Sequence, residues 1–351
     1  MAEKVKVAVV GCGYWGPNLA RNFHQLSTAE LKACCDLDWE KLKQMGELYP
    51  WASLTDDYSE ILAAPDIEAV ALATPARTHY ELARQALLAG KHILVEKPLA
   101  MNAAQAEELI ALAQKQSLVL MAGHTFEYNP AVLKIKELIA SGHIGRIYYI
   151  YSTRVNLGRV QSDVNALWSI APHDISILLY ILGELPRKVS AWGANYLSNR
   201  VEDVVFVNLD FPGGVLGHVH ASWLDPSKVR CMTIVGSEKM IVYDDVASEG
   251  RVKIYDKGIY RKSASSYGEF QYKVHAGDIH IPRIDMSEPL SNECAHFIEC
   301  VREGKRPRTD GYSGLRVVRV LEAAQASLDL GGQVVEINPS QVSGTLEVPG
   351  T

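Results

Sequence analysis

Glu96-Lys97-Pro98 closes the apolar run His92-Ile93-Leu94-Val95, and the same chain opens with Gly11-Cys12-Gly13-Tyr14-Trp15-Gly16 behind Val5 to Val10. Glycines at this spacing, between a strand and a helix, are the fingerprint of a dinucleotide site. The first permits a tight turn, the second lets backbone approach a pyrophosphate, and the third allows close helix-to-strand packing. A lysine at a strand end beside a nicotinamide can hold a substrate hydroxyl and steady its developing charge. Together the two motifs point to hydride transfer at an alcohol carbon. The structural alternatives are a glycine-rich turn for the first motif and an exposed lysine for the second.

Asp36 ends the second apolar run twenty residues after Gly16. A carboxylate there accepts bonds from the adenosine ribose hydroxyls and repels a 2'-phosphate, which favours NAD over NADP. Asp36 could instead cap the helix starting near Trp39, a role that suits Asp38 equally well. Thr74-Pro75 closes a third run, where parallel strands present their ligand-binding ends; a simple turn serves that sequence as well. The candidate cofactor contacts are Gly11, Gly13, Tyr14, Trp15, Gly16, Asp36, Thr74, Pro75, His79, Glu96 and Lys97.

A second cluster is Trp168-Ser169-Ile170-Ala171-Pro172-His173-Asp174. Pro172 marks a helix start, and Ile175, Leu178, Leu179 and Leu182 form its apolar face. His173 falls in the first turn, where the helix N-terminus disfavours imidazolium and keeps a ring able to accept a proton near neutral pH. A hydrogen-bonded structural histidine is the alternative, and Asp174 needs no function in a first turn. Upstream, Arg154, Asn156, Arg159 and Asn165 lie in a polar, glycine-containing stretch. Guanidinium forks suit phosphate and amides suit sugar hydroxyls, although a solvated loop has the same composition. The histidines show no H-x-x-x-H pair and the six cysteines no zinc-like spacing, so no metal is expected.

These residues need elements to position them. From Val5 to about Ala122, apolar runs alternate with helical periodicity: Val5 to Val10, Leu31 to Cys35, Ala69 to Ala73, His92 to Val95 and Leu118 to Ala122 as strands, with helices between. That order predicts a doubly wound parallel sheet. Beyond a helix over Ala131 to Ala140, period-two alternation in Ile147 to Asn156, Lys188 to Tyr196, Val204 to Phe211, Val215 to Trp223 and Arg230 to Val235 predicts a mainly antiparallel sheet. Pro212-Gly213-Gly214 makes one hairpin turn. Two late helices, Ser291 to Arg302 and Gly314 to Leu328, complete the chain. The expectation is α/β, a Rossmann domain over residues 1–123 and an α+β substrate-binding and oligomerisation domain over 124–351.

With 351 residues, 48% hydrophobic and 22% charged, the chain reads as globular. A net charge of -6 argues against a nucleic-acid partner. No segment is long and apolar enough for a membrane helix, and the cysteines read as reduced thiols in a cytoplasmic protein.

Val7 to Gly16, Glu96-Lys97-Pro98, the helix start at His173, and the late Glu288-Pro289-Leu290, Glu293, His296 and Phe297 together resemble the Gfo/Idh/MocA oxidoreductase family, in the family's order, from Val5 to about Leu330. The resemblance implies an NAD-binding Rossmann domain and a second domain whose open sheet makes oligomer contacts, in a homodimer or homotetramer. It matches Lys97 to the family's E-K-P lysine and His173 to the histidine of its D-x-x-x-H motif, which makes these two the catalytic candidates. Ser169 stands where many members have aspartate. The segment Arg154 to Gly158, Asn165, Trp168 and Pro172-His173-Asp174 looks most like a branch of nucleotide-sugar enzymes, including UDP-N-acetylglucosamine 3-dehydrogenases of surface polysaccharide synthesis. The implied activity is oxidation of a secondary hydroxyl, with C3 of a nucleotide-linked hexose such as a UDP-N-acetylhexosamine as first choice. Lys97, Arg154, Asn156, Arg159, Asn165, Trp168, Ser169 and His173 are the candidate substrate contacts. A dehydrogenase of a free polyol or monosaccharide, or a non-catalytic NAD-binding protein, are the alternatives.

Overall fold

A computed structural model describes residues 4–158, 164–197, 201–262 and 271–338. Arg159 lies outside the described residues, as does the stretch from Gln161 to Asp163. The described residues form two compact units, one drawn from Met1–Tyr128 and Ser287–Arg319, the other from Asn129–Met286 and Val320–Gln341.

The first unit begins β1 (Val5–Val10), α1 (Gly16–Gln25), β2 (Ala29–Cys35), α2 (Trp39–Leu48), β3 (Ser53–Thr55), α3 (Tyr58–Ala63), β4 (Ala69–Leu72), α4 (His79–Leu88), β5 (His92–Glu96), α5 (Ala103–Lys115) and β6 (Leu120–Gly123). All strand pairs are parallel, in the order β3-β2-β1-β4-β5-β6. This is the doubly wound order, with its switch point between β1 and β4. The expected Rossmann sheet is present with one strand more than the sequence indicates. Ser53–Thr55 is a three-residue edge strand, too short to show periodicity. The central strands are buried on both faces: Val7, Val9, Ala69, Ala71 and Leu94 line one core, Ala8, Val70, Leu72, Ile93 and Val95 the other. Burial on both sides is why these strands read as continuous apolar runs.

The second unit contains α6 (Pro130–Ala140), β7 (Ile147–Val155), α7 (Ala166–Ser169), α8 (Ala171–Leu182), β8 (Lys188–Ala194), β9 (Val204–Asp210), β10 (Leu216–Ser222), β11 (Val229–Gly236), β12 (Met240–Asp244), β13 (Val252–Lys262) and β14 (Gln271–His280). The chain ends with α9 (Pro289–Glu303), α10 (Gly311–Asp329) and β15 (Val335–Glu336). The sheet order is β14-β13-β12-β11-β7-β10-β9-β8-β15, antiparallel throughout except for the parallel β7–β10 pair. Pro212-Gly213-Gly214 does turn β9 into β10, with Gly213 at φ 73° and Gly214 at φ 80°. The strands from β12 onward extend the sheet beyond the expected five.

The division is not a single cut after Gly123. α9 returns to the first unit, where Leu290, Cys294, Phe297 and Ile298 are buried in the same core as Leu19 and Phe23 of α1. Phe23 meets Phe297 edge-on at 6.2 Å, and Arg21 donates twice to the Glu288 carboxylate. The apolar stripe of α9 needs a partner, and α1 supplies one.

Candidate active site

The glycine turn is built as a dinucleotide requires. Gly11 sits at φ +93°, and a Cβ there would lie 2.7 Å from the Ala73 carbonyl and 2.8 Å from Thr74 N. The turn after β1 is therefore pressed against the turn after β4, at the switch point of the sheet. A Cβ on Gly16 would lie 1.9 Å from the Gly11 carbonyl oxygen, whereas one on Gly13 would meet nothing within 4 Å. So Gly11 and Gly16 are fixed by the protein's own backbone, and Gly13 opens onto space. α1 follows with Pro17 in its first turn, no side-chain cap and no acidic residue there. Pro17 carries no N–H, and Asn18 N and Leu19 N donate to the Trp15 carbonyl, so what the helix start offers an anion is chiefly its positive dipole end.

Asp36 is tied to that turn. Its carboxylate accepts from Cys12 N at 2.6 Å and Asp38 N at 2.9 Å. Asp38, not Asp36, caps α2 by accepting from Glu40 N at 3.0 Å. One neighbour was hidden in the sequence: the first turn of α2 brings Lys41 Nζ to 3.6 Å from Asp36 and 3.4 Å from Asp38. Tyr14 is 84% exposed and stacks on Trp15 at 6.4 Å. Open glycine, uncapped helix and anchored carboxylate together fit a dinucleotide's pyrophosphate and ribose.

Two further turns complete this edge of the sheet. Thr74 accepts from the Thr78 hydroxyl at 2.8 Å, while Pro75 is exposed. His79 is 1% exposed, with Nδ1 2.7 Å from the Pro98 carbonyl and Nε2 2.9 Å from that of Thr74. Burial pushes its pKa down, against the pull of both carbonyls. A histidine so enclosed clamps the turns after β4 and β5 together from behind and presents no atom to a ligand.

Lys97 is half-buried at the end of β5, joined to Pro98 by a cis peptide bond. Glu96 beside it is buried, and its carboxylate accepts Lys97 N at 3.2 Å. Burial pushes the Glu96 carboxyl up to about 7, although the Lys97 charge pulls it back. Around it lies a buried polar cluster, and although Glu293 figures in the family resemblance, its gathering here with Glu96, Thr125 and His124 was not expected from the sequence. Glu293 accepts from the Thr125 hydroxyl at 2.7 Å and, with Glu96 nearby, is held well above the usual carboxylate range, mainly by burial. His124 is 1% exposed and pushed down to about 3 by burial and by the Lys97 and Arg316 charges. Its only sequence signal is that polar residues continue directly from an apolar strand.

In the second unit His173 is partly exposed at the start of α8, between buried Pro172 and Asp174. The N-cap position of α8 is Ile170, with no side-chain cap, so Ser169 does not serve as one; its hydroxyl oxygen is buried. Arg154 lies 6% and Asp174 3% exposed, joined by two hydrogen bonds. Asn165 donates to Glu202 at 2.7 Å and to Gln325 at 2.9 Å, and its oxygen caps α7 by accepting from Trp168 N at 3.1 Å. Trp168, 8% exposed, donates from Nε1 to the same Gln325 oxygen. Of the expected substrate contacts, then, Arg154, Asn165 and Trp168 are engaged inside the unit, while Asn156 and His173 keep partial exposure. Among the described residues no group of His, Cys, Asp or Glu is arranged to hold a metal ion.

Comparison with known proteins agrees with this geometry. Residues 5–124 match the model of an oxidoreductase family with an NAD-binding Rossmann fold, and residues 132–242 match the GFO/IDH/MocA C-terminal domain. The scyllo-inositol 2-dehydrogenase (NAD(+)) of Bacillus subtilis is 27% identical over 88% of this chain and 89% of its own. The structure of UDP-N-acetylglucosamine 3-dehydrogenase GnnA from Acidithiobacillus ferrooxidans superposes with a TM-score of 0.77 at 22% identity, covering 93% of this chain and 98% of that one. GenD2 from gentamicin A biosynthesis, crystallised with NAD, gives 0.80 at 25% identity, covering 96% and 97%. With both halves of the fold matched, the chain belongs to the GFO/IDH/MocA family of NAD-binding oxidoreductases.

Proposed function

We propose that this protein is an NAD-dependent dehydrogenase that oxidises a secondary hydroxyl of a sugar, with C3 of a nucleotide-linked hexose as the first candidate. The observation that carries the reading is the placement of Lys97 at the end of β5, on the same sheet edge as the glycine cradle and one strand beyond Thr74. Bound NAD supplies the hydride acceptor. The Lys97 ammonium hydrogen-bonds the substrate oxygen and stabilises the alkoxide charge that builds there as the hydroxyl proton is removed, charge that flows into the new carbonyl as hydride leaves. His173, partly exposed in the first turn of α8, removes the hydroxyl proton. GnnA, a UDP-N-acetylglucosamine 3-dehydrogenase, shares this fold, which is therefore compatible with the nucleotide-sugar choice.

A free polyol or monosaccharide is the second reading, and one observation favours it. Arg154, the guanidinium that could have gripped a diphosphate, is buried against Asp174, and the Bacillus subtilis relative acts on an inositol. Incubating the protein and NAD with UDP-hexoses, inositols and free hexoses, while following nicotinamide absorbance and loss of two hydrogens by mass, separates the readings. Turnover confined to free sugars would eliminate the first. Cofactor binding with no turnover would favour a non-catalytic NAD-binding protein.

The six cysteines are unpaired, which suits a reducing, cytoplasmic setting. We further propose a homodimer or homotetramer formed through the open face of the second unit's sheet.

A further inference from the structure

β7 alternates: Tyr149 and Tyr151 are exposed, whereas Ile150, Ser152 and Arg154 are buried. An arginine on the covered face of a strand is costly unless its charge is met. Asp174 meets it, with Arg154 Nε donating to Oδ2 at 2.5 Å and Nη2 to Oδ1 at 3.3 Å, the two-pronged geometry that fixes direction as well as distance. The surroundings are themselves ordered. Arg230 lies opposite Arg154 on β11 and pairs with Asp245 at 3.4 Å. Tyr243 donates to that carboxylate at 2.9 Å, and Asn129 donates to the Tyr243 oxygen at 3.2 Å.

What the pair holds is the first turn of α8. That turn has no side-chain N-cap, since Ile170 occupies the position, and the His173 N–H reaches the Ile170 carbonyl at only 3.4 Å. Asp174, the residue after His173, is thus the polar tie between this turn and β7.

We propose that Arg154 and Asp174 are positioning residues for His173: their buried ion pair locks the start of α8 to β7 and thereby sets where the imidazole is presented. The inference rests on His173 acting as the base. It removes Arg154 from the substrate contacts and gives Asp174 the role that the sequence left open.

The test uses the NAD-loaded enzyme carrying Arg154→Met, Asp174→Leu, both together, and His173→Ala alone and with Arg154→Met. Replacing both charges by apolar groups removes the cost of burying either one alone, so the double variant should regain thermal stability lost by Arg154→Met. If the pair positions His173, kcat with myo-inositol or UDP-N-acetylglucosamine stays about tenfold to a hundredfold down in that stable double variant, with KM for NAD unchanged. Arg154→Met should then add little to the loss caused by His173→Ala. A substrate-free readout is the rate at which diethyl pyrocarbonate carbethoxylates His173, followed by peptide mapping; it should change several-fold in the double variant. A stable double variant with wild-type turnover overturns the proposal, as does an unchanged His173 carbethoxylation rate should neither sugar be turned over. His173→Ala with full turnover would instead remove the base assignment.

Discussion

A lysine ammonium that stabilises an alkoxide and an imidazole that takes its proton both act chiefly in the transition state. Lys97→Ala and His173→Ala should therefore lower kcat by about two orders of magnitude or more while folding and NAD affinity stay near wild type. Steady-state kinetics beside NAD titration check this, and near-normal turnover by both variants would refute the site. Asp36 offers a second test at the same scale. Its carboxylate should make NAD(H) bind more tightly than NADP(H). Because Lys41 lies 3.6 Å away, Asp36→Ala should do more than weaken NAD: the lysine, then paired with Asp38 alone, should raise affinity for the 2'-phosphate form. Adding Lys41→Ala should cancel that gain. Equal affinities in the wild type would contradict the role of Asp36.

At the scale of elements, the glycine turn separates what the fold needs from what the ligand needs. Gly16→Ala places a methyl 1.9 Å from the Gly11 carbonyl and should cost both stability and NAD binding. Gly13→Ala meets no protein atom, so its melting temperature should stay near wild type while NAD affinity falls. Equal destabilisation by the two would show that Gly13 serves packing alone. The buried cluster behind β5 and β6 predicts opposing pH dependences. His124 is lowered from 6.5 to about 3, so the stability tied to its neutral ring is complete above about 6.5 and is lost as pH falls toward 3. Glu96 is raised from 4.5 to about 7, so its contribution is complete below 4.5 and declines as pH rises through 7. The stability deficit of His124→Gln relative to wild type should shrink on acidification, and that of Glu96→Gln should shrink toward neutral pH. Denaturant titrations at pH 5 and pH 7 read both, and deficits independent of pH would argue against the assignment. Both central sheets were legible because strand burial imprints itself on sequence, as continuous runs in β1 and β4 and as alternation in β7. β3 was not legible, since three residues, Ser53-Leu54-Thr55, are too few to carry a period. The Arg154–Asp174 pair was hidden for another reason: alternation placed Arg154 on the covered face, but the choice between ligand and ion-pair partner depends on which helix lies over β7, a long-range fact. The return of α9 to the first unit depends in the same way on its apolar stripe finding α1.

For the whole molecule the open question is what covers the second sheet. On the face away from α8, register aligns Trp192 with Phe206, Phe206 with His220, and Leu216 with Tyr149. Phe206 and His220 stack at 4.4 Å. Trp192 is 61%, Leu216 58%, Tyr149 and Tyr151 44% and Phe206 40% exposed. Apolar side chains that adjoin across strands form a patch rather than scattered exposures, and patches of this kind mark interaction sites. A second copy of the chain is the occupant expected from the family resemblance, and a net charge of -6 over 351 residues opposes self-association only weakly. A stable homodimer buries about 1,600 Å² in total, which a sheet face of several strands can supply. Light scattering at micromolar concentration should therefore give a dimer or tetramer mass, and replacing Phe206 and Leu216 with glutamate should shift it toward monomer while NAD binding at the first unit persists. A monomeric mass for the wild type, with full activity, would leave this face without the proposed partner.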